Sequence, residues 1–179
     1  VRKTDMNRKT SIRIASFNIG DFTTATESAG NDIRYGSGTQ KTLSEYIAVF
    51  HKVGADLWGL QEDSEFFFYP EKILPYDALY KQILPNYERV FTRSYNGKAF
   101  LTGFELRDVT PVDYPPVVTS YAPEGTTGYG HPWFLTGKIT VSGKEITVVT
   151  LHLDWSCKEK RTCQLDSLIA FAKTQEYCI

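Results

Sequence analysis

Long apolar runs are missing from this chain, and so is an excess of charge of either sign. No hydrophobic stretch approaches the roughly 20 residues that a membrane span needs, and no signal-peptide pattern begins the sequence. The first residue is Val rather than Met, so an earlier leader stays open. Location therefore stays open too, between a soluble cytoplasmic protein and one secreted after leader removal. Twenty basic residues face 21 acidic ones, a formal net charge of −1. That balance supplies no global field for nucleic acid, a membrane surface or an acidic partner. Cysteine is scarce: Cys157, Cys163 and Cys178 are an odd count without the paired short spacing of a zinc site. Cys157 and Cys163 stand six apart in a predicted helix, so they project to different faces and make poor disulfide partners. Internal repeats, low-complexity tracts and linkers are also lacking.

What is present describes a globular domain. The 179 residues are 41% hydrophobic and 14% aromatic, enough for one domain with a real core. Residues 1–10 are polar and read as a loose N-terminal segment. In "SIRIASFNIG", Ile12, Ile14, Ser16 and Asn18 share one face of a strand, and Arg13, Ala15, Phe17 and Ile19 the other. The Gly-rich loop "TTATESAGNDIRYGSG" is longer than a turn needs. From Thr39 to Val53, Leu43, Tyr46, Ile47, Phe50 and Val53 recur at helical spacing, with Gly54 placed to stop the helix.

"ADLWGLQED" then runs apolar to Gln61, Glu62 and Asp63, and a short helix is predicted after Asp77. "YERVFTRSY", "GKAFLTGFELRDV" and "PWFLTGKITV" predict an antiparallel meander, which reaches "ITVVTLHLDW" through a hairpin at Ser142-Gly143. Ser156 and Glu159 have capping-box spacing, and Leu165, Leu168, Ile169 and Ala172 form an apolar helical stripe. Lys158, Lys160 and Arg161 read as a solvated helix start. Strands joined mostly by hairpins, with few helices between them, imply an α+β sandwich rather than a doubly wound sheet.

Three of those strands share one habit. "IRIASFN", "DLWGLQE" and "ITVVTLHLD" each run apolar and end in chemistry-bearing side chains: Asn18, Glu62, and His152 with Asp154. If the strands lie side by side, their ends converge on one site. A carboxylate and an amide oxygen, with water in the remaining positions, suit a hard cation such as magnesium, with manganese as the alternative. A histidine nearby can orient or protonate a phosphate oxygen. Taken singly, each residue reads better without a function: Asn18 as a turn residue, Glu62 as a solvated strand end and His152 as a satisfied loop residue. The aromatic run Phe66, Phe67, Phe68 and Tyr69 reads as core beneath a loop, the alternative being a platform for bases or lipid.

The ordered set "ASFNIG", "DLWGLQE", "TLHLDW" and a following helix with Arg161 and Gln164-Leu165 resembles the first half of the endonuclease/exonuclease/phosphatase superfamily. The resemblance runs from about Ser11 to Lys173. It implies a four-layer α/β/β/α sandwich of the DNase I type, lacking its C-terminal half, with residues 11–179 as the N-terminal half of the domain. It also implies a magnesium-dependent phosphoesterase acting on a phosphodiester or phosphomonoester of nucleic acid, phospholipid or sugar phosphate. Carried over residue by residue, Glu62 is the main metal ligand of this half, Asn18 lies near metal and phosphate, and His152 contacts the scissile phosphate or positions its neighbours. Asp154 and Arg161 match supporting positions, and His131 lies near where many relatives carry a basic residue ahead of the next strand, a substrate contact or, more commonly, an ordinary loop histidine beside Pro132.

The family's second half, with a Gly-Asp-x-Asn strand end and a Ser-Asp-His loop, has no counterpart in these residues. The expectation is therefore a chain that is not competent alone. It would expose apolar surface and need the missing half or a complementary chain. The alternative from another class is a non-catalytic binding or structural module on the same scaffold.

Overall fold

A computed structural model of the chain describes residues 11–20, 43–63, 80–81, 83–91, 97–115, 133–154 and 157–179, with backbone alone for 43–46. The segment 1–10, the Gly-rich loop, the run Phe66–Tyr69 and His131 lie outside these residues.

Seven strands and two longer helices are described: β1 Ile14–Asn18, α1 Leu43–Val53, β2 Leu57–Gln61, β3 Glu88–Val90, β4 Lys98–Thr102, β5 Arg107–Asp113, β6 Trp133–Val141, β7 Lys144–Thr150 and α2 Lys158–Ala172. One sheet has the order β1-β2-β4-β3 and the other β5-β6-β7. β1 and β2 pair in parallel, with Asn18 opposite Gln61, so both strands finish at the same sheet edge. Gly54 lets the chain leave α1 for β2. Its φ of 55° is left-handed, and its N–H donates to the Phe50 carbonyl at 2.9 Å, as an αL helix cap requires.

The predicted meander is divided between the sheets. β3 and β4 pair in the first, β5, β6 and β7 in the second. The corner lies at Gly103, where an added Cβ would meet the Tyr87 ring at 3.3 Å. The hairpin at Ser142-Gly143 is as predicted, with φ of 50° and 77°, the left-handed pair that a two-residue primed turn demands.

Strand alternation sorts the apolar side chains into three layers. Trp58, Leu60, Ala99 and Leu101 face α1 together with Phe50, Tyr80 and Ile83. Leu57, Phe100, Trp133, Leu135, Ile139 and Val148 fill the space between the sheets. Phe134 and Tyr114 pack with Val149, Cys163, Leu168 and Phe171 of the α2 side. Helix, sheet, sheet, helix is the resulting order, a four-layer α+β sandwich.

Three local expectations change. Leu165 and Ile169 of the predicted stripe are exposed, at 41% and 50%. The helix instead buries Lys160 and Gln164, because it docks partly through polar contacts. Its N-cap is Cys157, which makes no side-chain capping bond, while Ser156 lies outside the described residues. Lys160 is therefore no solvated helix start: it is 3% exposed. All three cysteines are free. Beyond α2 the chain returns along β7, where Ile179 donates to the Thr147 carbonyl at 2.9 Å and Val149 donates to the Ile179 carbonyl at 2.8 Å.

Candidate active site

Strand direction brings the site together. β1 and β2 end at one edge, and β4, antiparallel to β2, begins there, with Lys98 opposite Gln61. In the facing sheet Leu135 pairs with Thr150, so β6 begins and β7 ends at one edge of its own. Period-two alternation puts Asn18, Gln61, Lys98, Trp133 and Thr150 on the faces that line the space between the sheets. The sheets close on each other through β2. Gly59 has no side chain, and Thr150 occupies the room where its Cβ would stand, 3.0 Å from the Thr150 Cβ and Oγ1. Beside it the Gln61 amide donates to Thr150 Oγ1 at 2.8 Å and to the Gly59 carbonyl at 3.0 Å, and its oxygen accepts from the Ser16 hydroxyl at 3.3 Å. This buried amide ties β1, β2 and β7 at one point.

Immediately past that tie stand two of the predicted site residues. Glu62 Oε1 lies 3.7 Å from His152 Nε2, and the two side chains are 24% and 22% exposed. Burial pushes His152 below the ordinary histidine range, the Glu62 charge opposes that shift, and the Lys98 charge adds to it. The net lowering leaves the imidazole neutral at pH 7, so the contact with Glu62 is a carboxylate beside a neutral ring rather than an ion pair. At this separation it is also longer than a hydrogen bond.

Asn18 ends β1 next to them. Its Oδ1 accepts the Gly20 N–H at 2.9 Å, and Gly20, at φ 56°, lies against Glu62: a Cβ there would be 3.8 Å from Glu62 Oε2. The Asn18 oxygen has a second lone pair to offer. One carboxylate and one amide oxygen, partly open to water, match the donor set that magnesium takes from proteins. Among the described residues no group of three or more His, Cys, Asp and Glu side chains forms a metal cluster.

Asp154 and Arg161 are placed differently. β7 ends at Thr150, so the strand face that holds Thr150 does not extend to Asp154. The Asp154 carboxylate meets Lys160 Nζ at 3.2 Å, both side chains being 4% exposed, and accepts the Cys157 N–H at 2.9 Å. Its own N–H donates to Gln164 Oε1 at 2.8 Å. Arg161 Nη1 donates to the Asp154 carbonyl at 3.0 Å. These contacts brace the loop between His152 and α2. His131 lies outside the described residues.

Lys98 went unnoticed in sequence. It is fully buried, with Nζ 4.2 Å above the Trp133 ring. A lysine opening a strand reads as a solvated end, and only the facing sheet makes it an internal cation. Asp63, in sequence only the polar end of an apolar run, is a buried anion. It is held by Arg89 Nε at 2.7 Å and by the Tyr80 hydroxyl at 3.1 Å.

Two facing sheets between helices, with Asn18, Glu62 and His152 gathered at one edge, make up the DNase I-like sandwich, the fold of the endonuclease/exonuclease/phosphatase superfamily. The chain has this fold. An endonuclease/exonuclease/phosphatase family protein from Leptotrichia buccalis C-1013-b aligns with a TM-score of 0.56 at 11% identity, covering 93% of this chain and 64% of that one. A humanized D. rerio TDP2 gives 0.55 at 15% identity over 90% of this chain and 56% of its own. An AP endonuclease from Archaeoglobus fulgidus gives 0.51 at 16%, with 92% and 52% covered. The chain thus spans between 52% and 64% of the length of these three neighbours. No protein-family model and no curated protein matches the sequence.

Proposed function

We propose that this chain forms one side of the active site of a metal-dependent phosphoesterase. The observation that carries the reading is the meeting of Glu62 and His152, 3.7 Å apart, at the edge where β1 delivers Asn18. Glu62 and Asn18 would hold magnesium, or manganese in its place, which when bound supplies positive charge against a phosphate oxygen.

The other roles belong to the chain itself. His152, neutral at pH 7 for the reasons of burial and charge given above, can exchange a hydrogen bond or a proton with a phosphate oxygen. Lys98 sets a fixed cation close enough to be felt by His152, favouring an anionic ligand. Asp154 and Arg161 act on the loop behind His152. The substrate is a phosphate ester, either diester or monoester, and nucleic acid, phospholipid and sugar phosphate all supply that chemistry.

Neither Gly-Asp-x-Asn nor Ser-Asp-His occurs within residues 1–179. On this reading the groups that activate water come from outside these residues, by a further segment or a complementary chain, and residues 1–179 alone do not turn over. The test uses the full reading frame and bis(p-nitrophenyl) phosphate with magnesium. Glu62→Ala is expected to lower kcat/KM by roughly 100-fold or more, the scale of removing an electrostatic stabiliser. Unchanged turnover in that variant refutes the metal assignment, whereas absence of magnesium-dependent turnover in the unmodified protein favours the non-catalytic module.

A further inference from the structure

Glu62 stands on a left-handed backbone, φ 52°. For a residue with a Cβ this conformation costs on the order of 1–2 kcal/mol, and it persists only where the surroundings over-determine it. On its N-terminal side Gln61 is fixed by its amide network, and its carbonyl accepts the Ile19 N–H at 3.0 Å. On the C-terminal side Asp63 is held harder still. Its N–H donates to the Gly97 carbonyl at 3.0 Å. Arg89 Nε meets its carboxylate at 2.7 Å, with the two side chains 2% and 0% exposed. Arg89 Nη2 also donates to the Asp63 carbonyl at 3.3 Å, and Tyr80 donates to Oδ1 at 3.1 Å. A buried ion pair contributes little net stability compared with apolar side chains of the same volume, but its geometry is exacting. Here one guanidinium grips both the side chain and the backbone of the residue next to Glu62.

We propose that Asp63, Arg89 and Tyr80 are positioning residues for Glu62: their buried cluster anchors the peptide after it and holds its carboxylate, on a left-handed backbone, at the site edge. The inference rests on the reading of Glu62 as a metal ligand only for its functional consequence. The clamp itself is a statement about backbone conformation.

The test is made on the protein of the full reading frame by NMR, together with manganese binding followed by water-proton relaxation. A left-handed residue shows an unusually strong intraresidue amide–Hα NOE. That NOE is expected at Glu62 in the unmodified chain. It is expected to weaken in Asp63→Asn and Arg89→Lys, and to a smaller degree in Tyr80→Phe, which removes a single hydroxyl and keeps the ring. Unshifted β6 and β7 amides identify variants that remain folded. Manganese affinity is expected to fall about 10- to 100-fold in Asp63→Asn, the range for residues that orient a ligand. A folded Asp63→Asn or Tyr80→Phe variant with the Glu62 NOE intact overturns the clamp, since a role confined to stability lowers Tm and leaves that conformation alone. If the unmodified chain and Glu62→Gln relax water equally in manganese, the functional reading fails, while the NOE still decides the clamp.

Discussion

Substituting Gly59 with alanine tests whether the two sheets close where the site begins. β2 is buried along its whole length, and a Cβ on Gly59 would stand 3.0 Å from both Cβ and Oγ1 of Thr150. Thr150 cannot simply turn aside. Its Oγ1 accepts from Gln61 at 2.8 Å and reaches the Leu60 carbonyl at 3.4 Å. One strand must therefore retreat by about half an ångström to restore van der Waals contact, and overpacking of this kind costs about 1–3 kcal/mol. Alanine returns about 0.5–1 kcal/mol through its lower chain entropy, so the net loss expected lies between about 0 and 2.5 kcal/mol.

The assay is urea unfolding, with stability read from midpoint and slope. The cycle is completed by Thr150→Gly and by the double variant, in which the methyl group has changed sides of the interface. A favourable coupling of about 1–3 kcal/mol is expected in the double variant. Additivity within about 0.5 kcal/mol, the behaviour of independent sites, refutes the inference that β2 and β7 touch here. Gly137→Ala is the comparison: its Cβ would meet Cδ1, Cγ and Cδ2 of the half-buried Leu106 at 2.9, 3.1 and 3.3 Å, so the whole leucine side chain must shift, and a cost of similar size without coupling to Thr150 is expected.

Other tests follow from single contacts. Lys160→Met leaves the Asp154 carboxylate buried without its partner at 3.2 Å, and is expected to cost about 3 kcal/mol in denaturant unfolding at pH 7; a loss below about 1 kcal/mol would mean the pair is solvated. Tyr114 is 3% exposed, its buried hydroxyl has no hydrogen-bond partner among the described residues, and burial raises its pKa well above the ordinary value. A raised pKa in the folded state contributes stability below the unfolded value, about 10, that is lost as pH climbs above it. Tyr114→Phe is thus expected to gain about 1 kcal/mol at pH 7 and to flatten the decline of Tm above pH 10; a destabilised variant with the same alkaline decline contradicts this. Lys98→Met in the full reading frame is expected to raise KM for the phosphate ester, and an unchanged KM removes Lys98 from the substrate's field.

Much of the fold could be read before any tertiary contact was known, for local reasons. Ser142-Gly143 is a turn whose φ values few other residue pairs tolerate, and Gly54 ends α1 because the next step needs φ above zero. The alternation of "IRIASFN" and "ITVVTLH" sorted side chains to two faces, and the described burial follows it at Ile14, Ala15, Phe17 and Val148. Asn18, Glu62 and His152 were marked by their position at strand ends. Periodicity says which face a residue takes, but not what covers that face.

That is where tertiary structure decided. Leu165 and Ile169 follow the helical period yet lie exposed, while Lys160 and Gln164 are buried. Asp154 left the alternation because β7 stopped four residues before it. Lys98 became an internal cation because Trp133, 35 positions away in sequence, lies across the gap between the sheets. The Asp63–Arg89 pair joins β2's end to β3. Sequence by itself determined the strands, their turns and the chemistry at their ends, since these depend on backbone sterics and near neighbours. Which ends meet, which charges are desolvated and which backbone is held left-handed depend on contacts between distant segments, and only the packed sandwich brings those together.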